Sequence, residues 1–286
     1  MESVLITGAT GLIGKSLIKL VQDQYQCWTL GRKKCDLPHF ILQDLAQTFD
    51  MSIFPKNVDY IIHLAQADNH NEFPSNSLQI FDVNIRATIQ LLEYARLAEV
   101  KKFILASSGG VYSSKQVIAK ECEGVATVSD NRLGFYQNTK LCMEILTNNY
   151  RKYFDIITIR PFFLYGRGQK ENMLIPRLIS AVLNDKEIEI GSLNDIQLNP
   201  IHCSDAAYCF YNALKLKKSD VYNIAGNQNV KISEIVRIIG SFCNKEPSIK
   251  YLNKNQQDLL ADNTKMIREL WKPQISIQEG IEDMLR

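Results

Sequence analysis

The sequence predicts an α/β fold: a doubly wound parallel sheet with helices on both faces and a smaller C-terminal lobe. Three observations carry this. A strand-length apolar run, Val4 to Thr7, passes through a glycine turn into a helical pattern. A second run, Val58 to Ala65, is apolar at successive positions, as a parallel strand covered on both faces must be. Strand-like and helix-like stretches then continue to alternate along the 286 residues.

At the N-terminus, Gly8, Gly11 and Gly14 follow the first strand at spacing GxxGxxG, and Lys15 to Val21 carries helical periodicity. Strand, glycine turn and helix start together make an anion site. Backbone N–H groups at the helix N-terminus point outward, its dipole favours negative charge, and a missing Cβ admits a pyrophosphate. The stretch therefore reads as a dinucleotide site. Cys27 to Leu30 is the second strand. NAD-binding units place an acid after it for the ribose hydroxyls, whereas an arginine accommodates the 2′-phosphate of NADP. Gly31-Arg32-Lys33-Lys34 contains no acid, which favours NADP over NAD.

Phe40 to Leu42 is a short third strand ending near Asp44 and Leu45. Val58 to Ala65 is the fourth, and it contains His63, read as a core or strand-end histidine. The polar stretch Gln66 to Ser77 leaves its C-terminal end, where open α/β sheets bind ligands. Val83 to Glu99 reads as a helix with two apolar stripes, Ala87/Leu91/Ala95 and Ile85/Ile89/Leu92. Phe103 to Ala106 is the next strand and opens onto Ser107 to Tyr112. Leu133 to Tyr150 is helical and places Tyr136 and Lys140 one turn apart on one face. A neighbouring ammonium is expected to lower the tyrosine pKa and suit it to acid/base work. Met173 to Leu183, Ile232 to Cys243 and Ile275 to Leu285 read as helices, and Glu187 to Ile190 and Val221 to Ala225 as strands.

Composition narrows the class of protein. A hydrophobic content of 45% supports a large core, and a net charge of +2 gives no argument for nucleic acid or an anionic membrane as partner. Seven cysteines without a CxxC pair indicate neither a disulfide framework nor a zinc site. Four dispersed histidines suggest no metal. No signal peptide or membrane-length apolar run is visible, so a cytoplasmic location is expected.

The ordered motifs resemble those of the extended short-chain dehydrogenase/reductases, the NAD-dependent epimerase/dehydratase family. Thr7 to Gly14 resembles the family's cofactor loop, Asp44-Leu45 its adenine-side segment, and His63-Leu64-Ala65 its HLA segment. Val83-Asn84-Ile85 matches the asparagine entering its central helix. Ala106 to Tyr112 resembles the catalytic-serine strand end, with Ser108 in the catalytic place, and Tyr136 and Lys140 match its YxxxK. Arg160-Pro161, Leu164-Tyr165-Gly166, His202 with Asp205, Tyr222-Asn223 and the segment from Asp262 follow at the family's intervals.

The resemblance implies a Rossmann-like NAD(P)-binding domain over residues 1–165 and a smaller, interleaved substrate lobe over 166–286. It implies Tyr136 as acid/base, Ser108 as hydrogen-bond partner of the reacting oxygen, and Lys140 on the nicotinamide ribose. Gly8, Thr10, Gly11, Leu12, Ile13, Arg32, Asp44, Leu45, Leu64, Ala65 and Lys140 would hold the cofactor, NADP ahead of NAD. Ser108, Phe163, Asn172, Arg177 and Asn199 are the expected substrate-side residues. Family members commonly dimerise through the two central helices, so a homodimer is expected.

Departures shape the expected reaction. Gly109-Gly110 stands where the family's dehydratases carry Asp-Glu, which argues against dehydration. Phe163 stands where sugar-nucleotide members often have Asn, and Leu198 where they often have a diphosphate-clamping Arg. A second such Arg is not evident, although Lys254 lies nearby, and Arg167, Lys170 or Arg177 could serve instead. Reduction of a keto group on a nucleotide sugar leads. Epimerisation with a tightly held NAD is the alternative, and a non-catalytic sensor or scaffold comes third, disfavoured by the intact Ser108, Tyr136 and Lys140.

Overall fold

The computed structural model describes residues 1–69, 72–112, 118–127, 133–191, 195–253 and 258–286. β1 (Ser3–Thr7) leads through the glycine turn into α1 (Leu12–Val21), followed by β2 (Gln26–Gly31), β3 (Phe40–Leu42) and β4 (Tyr60–His63). α2 (Ser77–Phe81), a π-helical turn (Asp82–Arg86) and α3 (Ala87–Leu97) run on end to end. The helix expected from Val83 thus begins six residues earlier: Leu78, Ile80 and Phe81 lie there, but only Ile80 turns to the core, so no single apolar face marks the period. β5 (Lys102–Ala106), β6 (Ile118–Ala119) and α4 (Gly134–Asn148) follow, then β7 (Asp155–Pro161) and α5 (Leu174–Leu183). β8 (Ile188–Ile190), β9 (Gln197–Leu198), α6 (Cys203–Ala213), β10 (Asp220–Ile224) and β11 (Val230–Lys231) come next. The chain closes with α7 (Ile232–Cys243), β12 (Ile249–Tyr251), β13 (Leu260–Ala261), α8 (Thr264–Glu269) and α9 (Ile277–Leu285).

Among the described residues, seven strands form one parallel sheet in the order β3-β2-β1-β4-β5-β7-β10. The order reverses between β1 and β4, so the crevice at their C-terminal ends is the topological switch point where such sheets bind ligands. Side-chain alternation divides the core. Val4, Ile6, Ile62 and Ile104 pack under α1, α6 and α8, while Leu5, Ile61, Phe103 and Ile156 pack under α2, α3 and α4. Burial on both faces explains why these strands read as unbroken apolar runs.

β10 returns from the C-terminal half to pair with β7, Tyr222 opposite Ile159. α5, α7 and α9 gather a separate core of Ile175, Leu178, Ile235, Ile239 and Ile281, with the β8–β12 pair at its side. Between the two lies a small cluster of Val111, Tyr112, Leu141, Phe162 and Ala261, under the turn that follows β5. No helix among the described residues is long and apolar enough to cross a membrane.

Candidate functional site

The switch point holds a cradle that fits a dinucleotide. Gly8 takes φ +71°, and the Gly11 N–H closes the turn on the Gly8 carbonyl at 2.9 Å. A Cβ on Gly8 would lie 2.7 Å from the Ala65 nitrogen, and one on Gly14 would run into the Gly8 carbonyl oxygen. Only glycine lets β1, the end of β4 and α1 approach this closely. Gly11 caps α1 with extended backbone and no side-chain hydrogen bond, and no acid occupies the first turn. The N–H groups of Leu12 and Ile13 therefore remain for a ligand anion. Thr10 is exposed in the turn, and Leu64 and Ala65 wall it from the β4 side.

A buried polar chain braces this corner. The Ala65 N–H donates to Thr7 Oγ1 at 3.2 Å, and Thr7 Oγ1 lies 2.7 Å from His63 Nδ1. His63 Nε2 is 3.1 Å from Thr88 Oγ1, which donates to the Asn84 carbonyl at 2.5 Å. Thr88 has one proton and spends it on Asn84, so it accepts from His63 Nε2–H. His63 Nδ1 then accepts from the Thr7 hydroxyl, which fixes the neutral tautomer. Burial, aided by the positive charge of Lys140, pushes the His63 pKa down to about 3. Asn84 continues the chain, accepting from the Ala67 N–H at 2.9 Å and donating to Thr139 Oγ1 at 2.9 Å. The π-helical turn carries Asn84, one of the places where such turns serve a site.

Thr139 sits on α4 between Tyr136 and Lys140, and its hydroxyl donates to the Tyr136 carbonyl at 2.7 Å. Lys140 is 1% exposed, and its Nζ donates to the Ala106 carbonyl at 2.9 Å. Burial pushes its pKa down to about 7, opposed by Glu144. The Tyr136 hydroxyl donates to Gln66 Oε1 at 2.9 Å and feels the nearby Ser108 hydroxyl, whose own Oγ accepts from the Gly110 N–H at 3.1 Å. Ser108, Tyr136 and Lys140 are thus brought together, above the end of β5 and beside β4. The expected lowering of the tyrosine pKa is not found. Loss of solvent pushes Tyr136 up to about 12, with Ser108 the opposing influence. Lys140 turns its Nζ to a backbone carbonyl, 5.8 Å from the Tyr136 ring centre, and its own charge is weakened by burial. Gln66 escaped the sequence reading. Its only signal is its place directly after the HLA segment.

The remaining candidates differ in how they are engaged. Arg32, the cation expected to be free for a 2′-phosphate, forms an ion pair with Asp68, which also binds Lys170 Nζ at 3.0 Å. Asp44 accepts from the Ala46 N–H at 2.9 Å as a turn residue, and Leu45 is buried in the core. Phe163 holds φ +42°, a left-handed conformation that asparagine tolerates and a bulky side chain resists. Asn172 is exposed in the lead-in to α5 and Arg177 on its outer face. Asn199 spends its amide on both polar groups of Ala261, at 2.8 and 3.2 Å, and lines a polar cleft with Asp262 and Asn263. Lys254 lies outside the described residues. A Cβ on Gly109 would meet the Phe162 ring at 2.7 Å and one on Gly110 the Gln137 side chain at 2.8 Å, so an Asp-Glu pair would have to displace both side chains. Among the described residues no group of His, Cys, Asp or Glu is arranged for a metal ion.

Residues 4–225 match the profile described as the NAD dependent epimerase/dehydratase family, and the chain belongs to that family. UDP-glucuronate 4-epimerase of Thermodesulfobacterium geofontis is 29% identical, over 99% of this chain and 94% of the relative. GDP-6-deoxy-D-talose 4-dehydrogenase of Aggregatibacter actinomycetemcomitans is 27% identical, over 86% of this chain and 82% of the relative. The crystal structure of UDP-glucuronic acid 4-epimerase from Bacillus cereus, in complex with UDP-glucuronic acid and NAD, has a TM-score of 0.85 at 25% identity, covering 99% of this chain and 97% of that one. The chain is accordingly an NAD(P)-dependent enzyme of Rossmann-type fold. The preference for NADP finds no support in that NAD complex, and Arg32 is already paired.

The neutral His63 has a measurable consequence. Its folded-state pKa of about 3 lies below the unfolded value near 6.5, so between these the unfolded chain binds the extra proton. The stability it contributes is present above pH 6.5 and lost as pH falls toward 3. Urea unfolding of wild type and His63→Gln across this range should show their stability difference shrinking on acidification; a difference independent of pH would contradict the buried neutral ring.

Proposed function

We propose that the chain moves a hydride to or from carbon 4 of the hexose in a nucleotide sugar, with Tyr136 handling the hydroxyl proton. The observation that carries this is the gathering of Ser108, Tyr136 and the buried Lys140 at the ends of β4 and β5, beside the glycine cradle. The 4-position is common to the names of the two curated relatives. When bound, the coenzyme supplies the hydride chemistry. Gly8, Thr10, Gly11, Leu12 and Ile13 would hold its pyrophosphate, Leu64 and Ala65 its inner wall, Asp44 and Leu45 its adenine side, and Lys140 its nicotinamide ribose.

The order of hydrogen bonds suits the proton step. The Gly110 N–H donates to Ser108 Oγ, which leaves the Ser108 proton for a substrate oxygen, and Tyr136 donates to Gln66 Oε1. A substrate oxygen in the place of the Gln66 oxygen would receive the tyrosine proton, completing reduction of a ketone; the reverse order serves oxidation. Ser108 and Phe163 would flank the sugar, while the lobe carrying Asn172, Arg177 and Asn199 would take the nucleotide end.

Net reduction of a 4-keto sugar and epimerisation at carbon 4 both use this arrangement, while Gly109-Gly110 lacks the acids of a dehydratase. Epimerisation is favoured by the Arg32–Asp68 pair, which removes the cation that pointed to NADPH, and by the relatives named as 4-epimerases. We take the coenzyme to be NAD on the same grounds. Coenzyme absorbance during turnover separates the two: steady consumption of the reduced form with 4-keto sugar nucleotides means reduction, and sugar interconversion without net change means epimerisation. Tyr136→Phe should lower turnover at least about 100-fold while leaving coenzyme affinity near wild type. Near-normal turnover in that variant would remove Tyr136 from the chemistry.

We further propose a symmetric dimer. Of the stripes expected to face a partner, Leu92 is core and Ile85 nearly so, but Leu78, Phe81 and Ile89 on the α2–α3 rod and Ile145 on α4 stay exposed. Sedimentation equilibrium should give a dimer at micromolar concentration and a monomer for Leu78→Glu with Ile145→Glu; a monomeric wild type would refute the proposal.

A further inference from the structure

Behind the Ser108 turn lies an ion pair that the chemistry above does not use. Glu144 and Arg160 are 6% and 5% exposed. The guanidinium binds the carboxylate through two nitrogens, Nε to Oε1 at 2.9 Å and Nη2 to Oε2 at 2.6 Å. Glu144 Oε1 also accepts from the Ser107 hydroxyl, and Arg160 Nη1 donates to the Tyr112 hydroxyl at 2.6 Å. The Tyr112 hydroxyl in turn donates to Asn223 Oδ1 at 2.8 Å, on β10. Ser107 and Tyr112 bracket Ser108 and its turn. Glu144 stands one helical turn beyond Lys140 on the same face of α4.

Such a pair is an expensive way to hold a fold together. Desolvating two charges costs several kcal/mol, and apolar residues of the same volume often serve stability as well or better. A charge retained here calls for a role in the site. We propose that Glu144 and Arg160 are a positioning pair: the Glu144 carboxylate, one turn beyond Lys140 on the same buried face of α4, is the counter-charge of the lysine, and the two together anchor both ends of the Ser108 turn. The proposal rests on the reading of Ser108 and Lys140 as site residues.

The groups facing Lys140 support it. From α4 these are Tyr136, a neutral phenol, and Glu144; from β4, His63, held neutral; from β7, Arg160, bound to the Glu144 carboxylate. The β5 side offers the Ala106 carbonyl, a dipole rather than a charge. Glu144 is therefore the group whose negative charge opposes the desolvation of Lys140. Glu144 is the charge that acts on Lys140, so removing the pair takes a net negative charge from its surroundings.

The test uses lysine side-chain NMR on the whole protein, with the Lys140 signal assigned by its loss in Lys140→Met. In wild type the signal should titrate near neutral pH. Glu144→Gln keeps the side-chain shape and removes the charge, and should move the midpoint down by about one pH unit or more. Because that variant leaves Arg160 unpaired, Glu144→Leu with Arg160→Met is the companion. It removes both charges at similar volume, should fold at least as well as the single variant, and should move the midpoint in the same direction. An unchanged midpoint in either folded variant overturns the proposal. So does failure of both to fold, which would make the pair a structural element only. If the midpoint moves but Lys140→Met turns over substrate normally, the positioning pair stands and the functional reading of Lys140 falls.

Discussion

A neutral imidazole between two hydroxyls governs the architecture around the site. His63 is fully buried at the end of β4, and each of its nitrogens has one partner and one direction of donation. Because the Thr88 proton is spent on Asn84, the imidazole must donate there and accept from Thr7. Thr7 ends β1 and holds the Ala65 N–H, while Asn84 holds the Ala67 N–H and Thr139. One chain of hydrogen bonds thus joins the glycine turn, the backbone on both sides of Gln66, the π-helical turn and α4. A buried polar chain of this kind favours one arrangement, since any slip strands a donor or acceptor away from water.

Much of this was legible in the residues. The strands of the sheet show as apolar runs because both their faces are covered, and α7 shows from Ile232 to Cys243 because one face is apolar and the other solvated. α6 escaped for the opposite reason. It is buried almost all round, through Ala206, Cys209, Phe210 and Ala213, so no polar face marks its period. α1 starts three residues before Lys15 because Gly14 and the turn dilute the pattern. The glycine cradle and the Tyr136/Lys140 spacing were visible, because local geometry alone makes them. Gln66, the Asp68 partner of Arg32 and the Glu144–Arg160 pair were not, because each depends on which loops meet across the sheet. Spacing reveals the cation beside Tyr136 but not how far burial weakens it, which is why the tyrosine pKa rises rather than falls.

Departures from the family pattern become physical statements in the structure. Gly109 and Gly110 are seated against the Phe162 ring and the Gln137 side chain, both of which would have to shift to admit the acids of a dehydratase. Phe163 keeps the left-handed backbone that its position demands while packing against the cluster under the Ser108 turn. The strain is retained where the strand turns toward the site, as strained residues often are.

The central claim is that a hydride leaves or enters carbon 4 of a nucleotide-linked hexose while Tyr136 manages a separate, solvent-exchangeable proton. The most direct measurement is to supply UDP-hexoses deuterated at carbon 4, with NAD, in ordinary water, and follow the label by NMR and mass spectrometry. Deuterium should pass to the coenzyme, or return to carbon 4 of the isomerised sugar, without loss to solvent. Deuterium washing out into water, or inversion at another carbon with the label untouched, would contradict it.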